Sequence, residues 1–268
     1  MLISTRSNVT ATSNARNASE SQSQLRKSME QLATGLRINR AADDAAGMAI
    51  AAQMTAELNG LNQAGRNARD AVSLVQTAEG SMNEIGDMMQ RMRTLAVQAG
   101  NDTYGASERS AIQQEVNQLQ NEITRVTGTS EFNGRRLLDG SLQSARFQVG
   151  PDAGQEIAVS IGAVATPTVD VTTPANAAQS LTVLDNALQN LNEQRASLGA
   201  TQNRLESTIR DLGQAADNTL QSRSRIEDAD FMKATADRAR NEIATRSAIA
   251  ILAQANVLPG MATRLLNG

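Results

Sequence analysis

The stretch MTAELNGLNQAGRNARDAVSLVQTAEGSMNEIGDMMQRM, Met54 to Met92, carries the reading on which the fold turns. Its apolar residues Met54, Leu58, Leu61, Ala68, Val72, Val75, Met82, Ile85, Met89 and Met92 recur at steps of 3, 4 and 7. Residues three and four apart stack on one face of a helix, so this rhythm is an amphipathic helical seam. A helix from Ala45 to Gly100 would be roughly 80 Å long, far beyond the usual three or four turns. That length describes a rod whose seam needs other helices beside it.

Upstream lies RINRAADDAAGMAIAAQMT, Arg37 to Thr55. Asp43 and Asp44 could be a catalytic pair, but adjacent helical residues point about 100° apart and do not converge on one substrate. They are better placed to begin the long helix, where negative charge meets the positive end of the helix dipole. Before them Leu25, Met29, Leu32 and Leu36 step by 4, 3 and 4, a shorter helical seam.

Downstream, GNDTYGAS (Gly100 to Ser107) breaks the helix with turn formers, and Ser107 is the expected N-cap of the next. Ile112, Val116, Leu119, Ile123 and Val126 keep the helical step until Gly128, the expected stop. ARFQVG and EIAVSIG alternate apolar and polar residues around PDAGQ, which predicts a β-hairpin near 144–162. AVATPTVDVTTPANAAQS reads as a loop or weak strand. A heptad then returns through Leu181, Leu184, Leu188, Leu191, Leu198, Leu205, Ile209 and Leu212, with polar Arg195 and Gln202 on the seam. Ala229 to Leu258 is a last, alanine-rich amphipathic segment. The expected class is mainly α, a long antiparallel helical coiled-coil rod with a small β-hairpin region.

Composition narrows the function. There are three Phe, one Tyr and no Trp, so the core must be built from aliphatic residues and methionine. Histidine and cysteine are absent, removing the commonest general base, metal ligands and nucleophile together. No enzymatic role, cofactor or metal is therefore expected. A net charge of −3 gives no basic footprint for nucleic acid. No apolar run is long enough for membrane insertion. The N-terminal stretch lacks a signal-peptide apolar region, so an exported protein would leave without cleavage. Met82, Met88, Met89 and Met92 read as core rather than a soft binding face, and Arg91 with Arg93 as a solvated helix face.

The residues closely resemble bacterial flagellin. The N-terminal match runs through SQSQLRKSMEQLATGLRINRAADDAAGMAI, GLNQAGRNARDAVSLVQTAEGSMNEI, QRMRTLAVQAGN and EFNGRRLLDG; the C-terminal match through SRIEDADF and AILAQANVLPGMATRLL. A hook–filament junction protein shares the terminal plan and a similar MxIST start, but DDAAGMAI and LAVQAGN favour flagellin. A non-polymerising coiled-coil binding module is the rival from another class.

The resemblance implies a subunit that polymerises with itself into the extracellular flagellar filament. Residues 1–44 with 226–268 would be terminal helices of an inner filament-core domain, and 45–225 a rod domain with the hairpin. Variable outer domains are missing between about Ala163 and Ser180. Arg37, Asn39, Asp43 and Asp44 would form a spoke and helix start joining the two layers. Export unfolded through the flagellar type III channel is implied, with an export chaperone on about Ser222 to Gly268 and the filament cap and hook-junction proteins as further partners. Arg91, Leu95 and Glu115 match the positions through which animal Toll-like receptor 5 senses flagellins, although Thr94 stands where many receptor-active members have an acid.

Overall fold

The computed structural model of the protein describes residues 8–266, with side chains described through 257. MLISTRS at the start, the final Asn267 and Gly268, and the side chains of the closing RLLNG therefore lie outside the described residues. The element order is α1 (Val9–Thr34), α2 (Ala45–Ala99), α3 (Ala106–Thr129), β1 (Glu131–Phe132), β2 (Arg135–Arg136), β3 (Ala145–Gln148), β4 (Glu156–Val159), α4 (Pro174–Glu227) and α5 (Phe231–Leu266). The class is mainly α, as expected from the seams. The chain divides into two compact units at Ala56/Glu57 and at Asp217/Asn218. Both divisions fall inside long helices. The first turns of α2 and the last turns of α4 belong with the terminal helices, where Arg223 reaches the Thr55 hydroxyl and Ala51 is buried.

The unit from Glu57 to Asp217 has a continuous core. On α2 the seam runs through buried Leu61, Ala64, Ala68, Ala71, Val75, Ala78, Met82, Ile85, Met89, Met92, Ala96 and Ala99, with Leu58, Leu74 and Leu95 buried beside it. The seam residues alternate by 3 and 4 without a slip, the 3.5-residue period of a left-handed supercoil. On α4 the buried leucines are Leu184, Leu191, Leu198 and Leu205, one per heptad, with Leu188, Ile209 and Leu212 half-buried beside them. Leu58, Leu61, Val75 and Ile85 are buried. Val72 is only half-buried and Ala71 takes the seam position. The reason is a second packing face: Val72, with Phe147 and Ile209, packs at the edge of the cluster of Ala68, Ala71, Val149, Ile157 and Leu205.

Both neighbours of α2 run against it. Arg91 pairs with Glu115 on α3 and Arg109 reaches Ala99, while Arg93 pairs with Asp185 on α4 and Leu191 meets Gly86. Rising numbers on α2 thus meet falling numbers on each partner. Arg109 is buried and donates Nε to the Ala99 carbonyl and Nη2 to that of Asn101. It satisfies the open carbonyls at the end of α2 and places a cation at the negative end of its dipole.

Several boundaries differ from expectation. The N-cap of α3 is Gly105 rather than Ser107, because an extended glycine leaves room for the Glu108 carboxylate in the first turn. Gly128 does not end α3, which runs to Thr129 before an extended Ser130 whose hydroxyl meets that of Ser81. α4 begins at Pro174, several residues before the first heptad leucine; Thr173 caps it through Asn176 N–H, and proline suits the first helical position because its missing N–H is not needed there.

The expected hairpin is β3 with β4, antiparallel from Ala145↔Val159 to Gln148↔Glu156. A second hairpin, β1 with β2, turns on Asn133 and Gly134, both at positive φ (51° and 74°). Asn-Gly is the residue pair that such a two-residue turn prefers. The segment between β4 and α4 has no regular secondary structure. Glutamines of α3 hold it instead: Gln113 accepts from Val171 N–H and donates to the Val169 carbonyl, and Gln120 donates to that of Pro167. Its Val164, Val169 and Val171 complete the core.

Candidate functional site

The terminal unit pairs α1 with α5. Asn8 caps α1 by accepting from Ala11 N–H, and its amide donates to the Ala255 carbonyl at the far part of α5. At the other end Lys27 and Ser28 share a groove with Ala234 and Asp237, so the helices are antiparallel. Their contact is made mostly of small and polar side chains, with three leucines among them. Ser28 is buried on α1, with Ala11, Asn14, Ala18, Ser21, Leu25 and Leu32 half-buried; Ala234 and Ala255 are buried on α5, with Asn241, Thr245, Ala248 and Leu252 half-buried.

Most of the other large apolar residues face the other way. Phe231 is 64% exposed, Met232 80%, Ile243 67%, and Val9, Met29, Ile249, Ile251 and Val257 are also open to solvent. Met29 therefore does not join the α1 seam as its spacing suggested; Ser28, one residue earlier, takes the inward place because two helices with small contacts approach closely. Scattered exposed apolar residues are ordinary, but concentration on two paired helices with so little buried between them marks an interaction surface.

The turn from α1 to α2 answers the question raised by its paired acids, which do different work. Gly35 ends α1 in the left-handed conformation, φ 73°, with its N–H on the Gln31 carbonyl. The Asp43 carboxylate accepts from the N–H groups of Asn39 and Arg40 and pairs with Lys27 of α1 at 2.7 Å. That Lys27 hydrogen bond holds the Asp43 carboxyl below its ordinary value of 3.8, helped by the two backbone donors and opposed by partial desolvation. Asp44 caps α2 instead, accepting from Gly47 N–H at 2.8 Å. Asn39 donates its side chain to the Leu36 carbonyl, and Arg40 pairs with Glu30.

Gly47 is fitted to this turn. A Cβ there would lie 2.5 Å from the Asp44 carboxylate and 2.7 Å from Ile38 Cδ1, and Ile38 is buried. The turn is also tied to the break between α4 and α5. Leu36 bridges Asp228 in antiparallel fashion, Arg37 N–H donates to the Glu227 carbonyl at 2.6 Å, and Ala229 N–H donates to that of Gly35 at 2.9 Å. The Arg37 guanidinium donates to the Ile226 carbonyl. Arg37, Asn39, Asp43 and Asp44 thus converge on one turn. Lys27, Glu30, Gly47 and the 227–229 backbone complete it; they are remote in sequence or lack a side chain, and no spacing rule marked them.

In the other unit, Arg91 and Glu115 form an exposed ion pair at 2.7 Å. Leu95 does not join them at the surface: at 2% exposed it packs in the core. Of the polar seam residues on α4, Gln202 donates to Glu206, whereas the half-buried Arg195 keeps its Nε unpartnered. Among the described residues, no helix is long and apolar enough to cross a membrane.

Comparison with known proteins places the chain among filament proteins. The family model for the bacterial flagellin N-terminal helical region matches residues 3–143, and that for the bacterial flagellin C-terminal helical region matches 181–266. A flagellin of Halalkalibacterium halodurans is 41% identical over 266 residues, covering 97% of this chain and 98% of that protein. The flagellar filament 31.3 kDa core protein of Treponema maltophilum is 38% identical over 252 residues, covering 86% of this chain and 88% of that protein. The crystal structure of Bacillus cereus flagellin, 29% identical, superposes with a TM-score of 0.52 over 55% of this chain and 88% of that one.

Proposed function

The chain belongs to the bacterial flagellins, and from that premise we propose how its parts serve the flagellar filament. It is a structural subunit, not an enzyme, and its copies form the extracellular filament as a homopolymer. The observation that carries the proposal is the inversion of the α1–α5 pair, with small residues between the helices and Phe231, Met232, Ile243, Ile249 and Ile251 turned outward. Copies can bury such a face against one another, and a heterologous contact that does not close into a ring yields a helical fibre.

In this reading the terminal helices, 1–44 with 226–268 in outline, build the inner layer and the helices with the β3–β4 hairpin build the layer around it. The Arg37–Asp44 turn is the spoke between the layers. Electron microscopy of purified protein after seeding or salting-out, beside a truncation lacking 1–40 and 229–268, tests this. Uniform tubes from the full chain alone are expected; full-length protein that stays monomeric would overturn it.

The family premise extends to partners. The subunit is exported unfolded through the flagellar type III channel, which a cysteine-free chain without cross-links suits. An export chaperone covers the segment from about Ser222, whose apolar face is otherwise open to the cytoplasm; deletion of that segment should abolish chaperone binding. The filament cap and hook-junction proteins meet the ends of the polymer. Toll-like receptor 5 senses the free subunit through the exposed Arg91–Glu115 pair, with Leu95 supporting that surface from below. A receptor reporter assay with purified monomer is expected to respond, and silence would remove this part.

A further inference from the structure

Phe231 poses a problem of its own. The other phenylalanines, Phe132 and Phe147, pack against the core of the Glu57–Asp217 unit, but Phe231 opens α5 with its ring largely in water and Met232 beside it still more exposed. The Asp230 carboxylate caps α5 by accepting from the N–H groups of Met232 and Lys233, so the helix start holding these side chains is fixed. A rigid, exposed aromatic on an assembling surface is the residue type that anchors interfaces.

The same helix pair holds a place to receive it. Midway along, Ala15, Ala18, Ser19 and Gln22 of α1 and Thr245, Ile249 and Leu252 of α5 line an open groove of about 230 Å³. Ala18, Thr245 and Leu252 are half-buried, while Ala15, Ser19 and Ile249 are exposed. An apolar cavity of about 150 Å³ takes up benzene, so the groove has room for one phenyl ring. The small residues that let α1 and α5 approach also leave this gap.

We propose that Phe231 of one copy docks into the Ala18–Leu252 groove of a second copy of this chain, with Met232 closing over it. The proposal rests on the filament reading above and adds its register. Knob and groove lie on different parts of the same surface, so the contact is head-to-tail and leaves a free knob and a free groove at each step. From Phe231 to Ile249 is eighteen positions along α5, so joined copies are offset by about 27 Å along that helix.

The absence of native cysteine provides a direct test. Full-length protein carrying Met232→Cys and Ser19→Cys, both exposed positions, is assembled and then oxidised, beside Met232→Cys with Asp87→Cys on the other unit. The first pair is expected to give a ladder of covalent oligomers and the second none. Phe231→Ser, whose side chain leaves no cavity in the monomer, should raise the concentration needed for assembly at least tenfold, with monomer helicity unchanged. Wild-type filaments without a ladder from the first pair, or an unchanged assembly concentration for Phe231→Ser, overturn the register while the filament reading stands. No filaments from the wild type overturns both.

Discussion

The two units are made of the same kind of helix with opposite interiors. Along α2 beyond Glu57, and along the facing part of α4, most large aliphatic and methionine side chains point inward. Along α1 and α5 the inward side chains are mostly small or polar, with Leu25, Leu32 and Leu252 among them, while the isoleucines, Phe231 and Met232 point outward. Burying apolar area is the main favourable term in folding, about 25 cal/mol per Å². The first unit gains that term within one chain. In the reading proposed above, the second gains most of it only when other copies arrive, which would link its stability to assembly by mass action.

The contrast can be broken from the packed side. Leu198→Ala removes a heptad leucine that is almost fully buried, and should cost about 2–5 kcal/mol of unfolding free energy, measured by urea denaturation of the monomer. Loss of less than 1 kcal/mol would mean that this unit is not held by its own seam.

At the turn between α1 and α2 the effects should be smaller and local. Asp44→Ala removes the α2 cap and should destabilise the first turn by about 1 kcal/mol, seen as faster hydrogen exchange at residues 45–48. Protection in the Glu57–Asp217 unit should not change.

Acid sharpens the comparison further. The Asp43 carboxyl is depressed by Lys27, so its contribution is present above its ordinary value of 3.8 and is lost as pH falls through the lower folded value. Acid titration of hydrogen exchange should show the 39–43 turn opening below about pH 4. In Asp43→Asn the turn should already exchange quickly at neutral pH, without that acid step.

The smallest effect on the monomer is expected where assembly should suffer most. Ile243→Ser changes a side chain that is 67% exposed, and monomer stability should stay within about 0.5 kcal/mol. The concentration needed for filament growth should nevertheless rise. A variant that assembles like the wild type would place Ile243 on a surface the filament leaves in water.

Much of this molecule follows from periodicity. The steps of Leu61, Val75, Met82, Ile85, Met89 and Met92, and the heptad of Leu184, Leu191, Leu198 and Leu205, determined two long helices, and alternation determined the β3–β4 hairpin. Asn133-Gly134 was legible as a turn by its type, because only such residues take positive φ cheaply. Which face of α1 and α5 turns inward was not legible. A hydrophobic stripe says only which residues favour leaving water, and here the chain itself leaves Phe231, Met232, Ile243, Ile249 and Ile251 exposed. The turn from Arg37 to Asp44 was half written in sequence: Asp43 and Asp44 could be assigned to a helix start, but their division of work depends on Lys27, Gly47 and the Glu227–Ala229 backbone. Local dihedral preferences and residue spacing act over a few positions, whereas those contacts join segments up to some two hundred positions apart, and only the tertiary structure decided them.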